Sequence, residues 1–225
     1  MTPHTFLFDM DGTLLDSSAA VVDAVAAGLL RAYDHHGLAP APADRSLISR
    51  CMGLPTDAYF RAAFAPDTVP ESLREEFAVT YGHFTADAEE EAVSAGATRL
   101  YNAVPDALDA LRAQGHRLLL FSNAGARYFR AIMAGHGLER WFDRALCVEE
   151  ARTQGLAQDK DGMVRAMVED PARAVVVGDR VHDIDAGRRA GARTVGCLYG
   201  FGAAEEFAQA TWTVESPAEW PSLPL

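Results

Sequence analysis

Thr5-Phe6-Leu7-Phe8-Asp9 is a short apolar, β-favouring run that leads into Met10-Asp11-Gly12. A run of this kind ending at a glycine turn predicts a buried strand, with both aspartates at its C-terminal end. Next, Ser17 or Ser18 can cap a helix in which Val22, Val25, Leu29 and Tyr33 recur at helical spacing and Gly37 supplies the stop. His35 and His36 fall in its last turn, where contact with the exposed helix carbonyls is the expected role. From Asp44 to about Val93 only helical patterns occur, broken at Gly53-Leu54-Pro55 and between Pro66 and Pro70. The acidic stretch over 71–91, ending Glu89-Glu90-Glu91, predicts a solvated helix face.

After Ala95-Gly96-Ala97 helix and strand alternate. Helices are predicted at Pro105–Gln114, Ala126–Gly137, Gly162–Glu169 and Ile184–Ala190. Strands are predicted at Arg117–Phe121, Arg144–Val148, Arg173–Gly178 and Arg193–Leu198, with an edge strand at Thr211–Val214. Repeated units of this size imply a parallel sheet with helices on both faces. The fold class is therefore α/β, a doubly wound, Rossmann-like parallel sheet with an all-helical domain inserted after the first strand. The predicted division assigns residues 1–16 and 96–225 to the α/β core and 17–95 to the helical insert.

The composition narrows the partners. Lys+Arg number 20 and Asp+Glu 32, a net charge of −12. That charge repels phosphate backbones and anionic lipid, so neither nucleic acid nor a membrane is expected as partner. No apolar run approaches the ~20 residues that span a bilayer. The start of the chain shows neither the basic residues nor the apolar stretch of a signal peptide. Cys51, Cys147 and Cys197 are odd in number and far apart, which suits neither a disulfide framework nor a zinc site. The expectation is a cytoplasmic protein, monomer or homodimer.

In a doubly wound sheet, ligands bind beyond the C-terminal strand ends. Asp9 and Asp11 follow the first strand, Ser122 and Asn123 the Arg117–Phe121 strand, and Asp179, Asp183 and Asp185 the Arg173–Gly178 strand, while Lys160 precedes the helix before it. Carboxylates gathered this closely repel and invite a hard divalent cation, for which Mg²⁺ fits best. While the strand lasts, its period-2 geometry places Asp9 and Asp11 on one side. One can then attack phosphorus while the other handles a proton. Ser122, Asn123 and neighbouring backbone N–H groups can hold phosphate oxygens, and Lys160 can neutralise charge.

The run Asp9-Met10-Asp11-Gly12-Thr13-Leu14-Leu15-Asp16-Ser17 resembles the first motif of the haloacid dehalogenase superfamily. Phe121-Ser122-Asn123-Ala124 resembles its second, Lys160 its third, and Gly178-Asp179-Arg180-Val181-His182-Asp183 its fourth. Gly53-Leu54-Pro55 and the tail around Gly200-Phe201-Gly202 resemble phosphoglycolate phosphatase-like members with a helical cap. The resemblance implies Asp9 as nucleophile and Mg²⁺ ligand. It implies Asp11 as general acid/base, with its backbone carbonyl on the metal. Ser122 and Asn123, with Gly12 and Thr13, would bind phosphate, and Lys160 would bind phosphate and the nucleophile. Asp179 would be a metal ligand, and Asp183 would assist directly or through water. Asp185 reads as an exposed helix acid and His182 as a surface or supporting residue. Dehalogenases of the family lack an acid at the position of Asp11, so Asp11 argues for hydrolysis of a small phosphorylated metabolite. A phosphosugar mutase of the same superfamily is the alternative, and a non-catalytic binding module a remoter one. Arg45, Arg50, Arg61 and His83 on the insert are candidates to meet an acidic end of the substrate. Lys160 is followed by Asp161-Gly162 rather than the proline of many relatives, so Asp161 as a helix cap, with Lys160 on the surface, is the competing reading.

Overall fold

The computed structural model describes residues 2–52 and 66–225. Strand β1 (Thr5–Phe8) sits inside a six-stranded sheet of order β5-β4-β1-β6-β7-β8, made with β4 (Arg117–Ser122), β5 (Arg144–Cys147), β6 (Ala174–Gly178), β7 (Arg193–Cys197) and β8 (Trp212–Val214). Every pairing is parallel. The residues explain why. In β1, Phe6 and Phe8 face one core while Leu7 faces the other. The same alternation runs through Leu118/Leu120 against Leu119/Phe121 in β4, and through Val175/Val177 against Val176 in β6. Strands apolar on both faces are the signature of a sheet covered twice.

The first face is covered by α4 (Val104–Ala113) and α5 (Ala126–His136), through Leu108, Leu111, Phe129 and Ile132. The second is covered by α6 (Val148–Thr153), α7 (Lys160–Met167) and α8 (Val181–Arg189), through Ala151, Met163, Val164 and Ala186. Burying a Leu or Phe side chain here contributes roughly 1.5–3 kcal/mol.

The chain leaves the core through β2 (Leu15–Asp16) and returns through β3 (Arg99–Leu100), which pair antiparallel. Between them lie α1 (Ser18–His35), α2 (Arg45–Arg50) and α3 (Arg74–Ser94). Helices α1 and α3 pack so closely at Gly28 that a Cβ there would overlap the Thr85 backbone. The expected turn at Gly53-Leu54-Pro55, and Arg61, lie outside the described residues. Among the described residues no helix is long and apolar enough to cross a membrane.

Some local expectations change. The Ser17 hydroxyl does not cap α1, because it donates to Asp11; Asp16 instead accepts from the Ser18 N–H and hydroxyl. The His36 ring meets the Thr80 hydroxyl and the Phe77 ring, a contact between helices rather than with carbonyls of its own. The helix expected from Gly162 begins at Lys160, because Asp159, not Asp161, caps it by accepting the Gly162 N–H at 2.8 Å.

Candidate active site

Strand β1 stops at Phe8, one residue short of the expectation, and the Asp9 N–H continues the ladder onto the Val177 carbonyl of β6 at 2.9 Å. This bond fixes Asp9 between the ends of β4 and β6. The start of α7 brings in Lys160, whose Nζ donates to Asp9 Oδ1 at 2.7 Å and to Asp183 Oδ1 at 2.6 Å. Lys160 is only 6 % exposed, so the surface alternative for it is excluded. Its ammonium also lies 5.2 Å from the centre of the Phe121 ring, an added cation–π contact.

Asp183 sits in the first turn of α8, where its other oxygen accepts the Arg180 N–H at 3.0 Å. Asp179, fully buried at the end of β6, accepts from the Phe201 N–H at 2.7 Å and from the Thr13 hydroxyl at 3.3 Å. One carboxylate oxygen from each of Asp9, Asp179 and Asp183 lies within 4.8 Å of the other two. Gly12 takes φ +81°, and a Cβ there would overlap the Asp179 carboxylate. That position therefore requires glycine for two reasons, conformation and space.

Burial and crowding shift the protons. Burial first, then the Asp183 charge, pushes Asp179 up to about 7. Burial raises Asp9 well above the ordinary carboxylate range, with Lys160 opposing. Burial pulls Lys160 down, but the Asp183 and Asp9 charges outweigh it and hold its pKa above the usual lysine value. Fully ionised, the three buried carboxylates would outweigh the one ammonium, which is why burial holds protons on them. The cluster's donors are all oxygens. The residues present fit a hard divalent cation of the Mg²⁺ type.

Asp11 stands apart from this cluster. Its carboxylate is outside the group formed by Asp9, Asp179 and Asp183, though near enough to feel the Lys160 charge. Its Oδ1 accepts from the Ser17 hydroxyl at 2.6 Å and from the Tyr128 hydroxyl, on α5, at 2.7 Å. Burial raises its pKa, and these two hydrogen bonds oppose the rise. Its carboxylate is thus held by hydroxyls rather than by the charged cluster, which leaves its backbone carbonyl free for the metal role expected of it.

Ser122 and Asn123 are both buried at the end of β4, with Ser122 Oγ accepting the Ala124 N–H at 3.0 Å. The Thr13 hydroxyl rests on Asp179, and the Gly12 N–H donates to the Leu15 carbonyl at 2.9 Å. Both residues thus shape the loop around Asp179. Asp185 pairs with Arg188 and Arg189 on the helix surface, and His182 is exposed.

On the insert, Arg45 pairs with Asp23, Arg50 donates to the Ser46 hydroxyl, and both are exposed, as is His83. Among the described residues of the insert, Glu89 of α3 lies near enough to Asp11 to feel its charge. It is half-buried, and burial followed by the Asp11 charge pushes it up to about 8. The expected solvated face therefore holds for Glu90 and Glu91, which pair with Arg127 and Arg31, but not for Glu89. Tyr128, Glu89 and the support from Ser17 escaped the sequence reading. The available signal was a tyrosine on the buried stripe of α5, shortly after Asn123.

The family model for haloacid dehalogenase-like hydrolases matches residues 3–191. The chain belongs to this family. Among curated relatives, this hydrolase is 28% identical over 221 residues to the tyrosine-protein kinase PtkA of Mycobacterium tuberculosis, covering 96% of this chain and 69% of that protein. It is 27% identical over 202 residues to a phosphoglycolate phosphatase of Agrobacterium fabrum, covering 87% of this chain and 80% of that one. Among solved structures, a haloacid dehalogenase-like family protein from Streptococcus pneumoniae superposes with a TM-score of 0.74 at 20% identity, over 96% of both chains. That similarity establishes the fold and its helical insert.

Proposed function

We propose that this hydrolase is a Mg²⁺-dependent phosphatase that cleaves a small phosphorylated metabolite through an aspartyl-phosphate on Asp9. The observation that carries the reading is the pairing of two carboxyl groups with different surroundings. Asp9 lies in the charged cluster on Lys160, while Asp11 lies beside it on two neutral hydroxyls. Environments that set two acids apart are what a nucleophile and a proton carrier need. The phosphoglycolate phosphatase among the relatives points the same way. The kinase is longer than the region this chain matches.

Asp9, Asp179 and Asp183, with the Asp11 carbonyl, would hold Mg²⁺, which supplies positive charge against the phosphate oxygens. Asp9 Oδ1 stays on Lys160, and Oδ2 attacks phosphorus. As the ester P–O bond breaks, Asp11 gives its proton to the departing oxygen. Water then attacks the phosphorus of phospho-Asp9 and yields its proton to Asp11, releasing phosphate and restoring the Asp9 carboxylate. Ser122 and Asn123 bind the phosphoryl oxygens. Lys160 neutralises the charge shared by Asp9 and the phosphoryl group. Residues 17–95 act as a cap over the opening, excluding water and selecting the substrate.

The test is phosphate release from a panel of phosphorylated metabolites, with Mg²⁺ and after thorough chelation. The reading requires Mg²⁺-dependent release that Asp9→Asn abolishes. Full turnover in chelator contradicts it. Transfer of the phosphoryl group to a second hydroxyl of the same sugar, without free phosphate, would support the mutase instead.

A further inference from the structure

We infer that Tyr128 is a positioning residue for the proton transfer: together with Ser17 it holds Asp11 by Oδ1, so that the transferable proton sits on Oδ2. The inference rests on the phosphatase reading above and deepens it. A carboxyl oxygen has two lone pairs. Those of Asp11 Oδ1 are occupied by two short O–H···O bonds, 2.6 Å from Ser17 and 2.7 Å from Tyr128. A proton placed on Oδ1 would point at a hydrogen already there. Oδ2 accepts no hydrogen bond from any described residue, so it is the oxygen able to carry a proton to the substrate.

The two donors come from independent parts of the fold. Ser17 immediately precedes α1, and Tyr128 is in the first turns of α5, which starts just after Ser122 and Asn123. Both are almost wholly buried, at 1 % and 5 % exposed. Water therefore cannot readily replace either hydroxyl. Helix α5 is seated by the core through Phe129, Ile132 and Met133, which gives the Tyr128 hydroxyl a fixed address. In an unpinned Asp11 the carboxyl plane would turn and share the proton between two oxygens, only one of which faces the leaving group. Placement at this scale governs proton-transfer rates.

The experiment compares kcat/KM of the full chain with Mg²⁺ for a primary alkyl phosphate and for p-nitrophenyl phosphate. That ratio reports the steps up to phospho-enzyme formation, and only the alkyl ester needs a proton to leave. Tyr128→Phe keeps the ring and removes the hydroxyl. It should lower kcat/KM for the alkyl ester about tenfold or more, and for the aryl ester less than about threefold. Phospho-Asp9 should accumulate in quenched aryl reactions, because the water's proton loses its aligned acceptor. Ser17→Ala, which removes the other donor and leaves the Tyr128 ring in place, should show the same ester-selective pattern. Melting temperatures identify any variant whose loss is one of folding. Equal losses for both esters in folded Tyr128→Phe and Ser17→Ala overturn the inference while leaving the phosphatase reading intact. A gain on the alkyl ester overturns it too, since the hydroxyls would then be holding Asp11 away from its work. Wild-type protein that releases phosphate from neither ester overturns both readings together.

Discussion

Two cations in this molecule each bridge two carboxylates at nearly the same distances, in opposite surroundings. Lys160 reaches Asp9 at 2.7 Å and Asp183 at 2.6 Å, with all three side chains buried. Arg127 reaches Asp87 at 2.8 Å and Glu90 at 2.5 Å, with all three more than a third exposed. The first trio ties α7, α8 and the loop after β1 together at the C-terminal edge of the sheet; the second ties α5 to α3 of the insert. Geometry alone would rank them equal, and dielectric separates them. A buried pair that loses one partner leaves an uncompensated charge, whereas an exposed pair exchanges its partner for water. The difference suits their positions. Under the proposed function the core holds its charges in place while the insert opens and closes over the site.

The comparison breaks most visibly at Lys160. Lys160→Met should abolish turnover and, in chelator, cost about 3–5 kcal/mol of stability by urea unfolding. Adding Mg²⁺ should restore part of that stability, because a cation that binds only the folded cluster stabilises it. A loss under ~1 kcal/mol would place the trio in effective contact with water.

Next in size is Asp11→Asn, which keeps the side-chain shape but cannot carry the proton. Its kcat/KM should fall by about 10²–10⁴-fold for an alkyl ester and far less for p-nitrophenyl phosphate. Equal losses for both esters would remove Asp11 from the proton transfer.

Glu89 lies between the two extremes. It holds its proton in the folded chain up to about pH 8, whereas an unfolded glutamate releases it in the ordinary range. The extra proton bound by the folded state stabilises it fully below that ordinary range, and the contribution is lost as pH rises to about 8. Glu89→Gln should therefore flatten the pH dependence and gain about 1 kcal/mol at pH 8, a rise of a few degrees in melting temperature. The side chain keeps some contact with solvent, which keeps the effect small. An unchanged pH slope would mean that water reaches the carboxyl.

The smallest effect belongs to Arg127→Ala, at roughly 0.2–1 kcal/mol and falling with added salt. A loss of several kcal/mol would show that the insert is welded to the core.

What could be read in the sequence follows from how local each feature is. The parallel sheet was legible because runs such as Arg117–Phe121 and Arg173–Gly178 carry their own apolar pattern, and glycines mark their ends. Asp9, Asp179 and Asp183 were legible because each follows a strand whose C-terminal end faces the site, and the structure brings the three together. Lys160 was ambiguous because Asp161 beside it could have capped α7 and left the lysine on the surface; the cap is Asp159, which the sequence reading did not weigh. Tyr128 and Glu89 were not legible. Their roles arise where α5 and α3 meet the loop after β1, a junction between distant segments with no spacing rule. Ser17 was read as a cap because a serine before a helix usually is one, and a buried carboxyl competed successfully for its hydroxyl.

The central claim is that Asp9 is the residue that carries the phosphoryl group. Mass spectrometry of the Asp11→Asn protein, quenched during turnover of p-nitrophenyl phosphate with Mg²⁺ and digested, tests it directly. The account predicts one phosphoryl group on the peptide containing Asp9, absent when chelator replaces Mg²⁺ and absent when Asp9→Asn is added. Phosphate on any other residue, or turnover that survives Asp9→Asn, would contradict it.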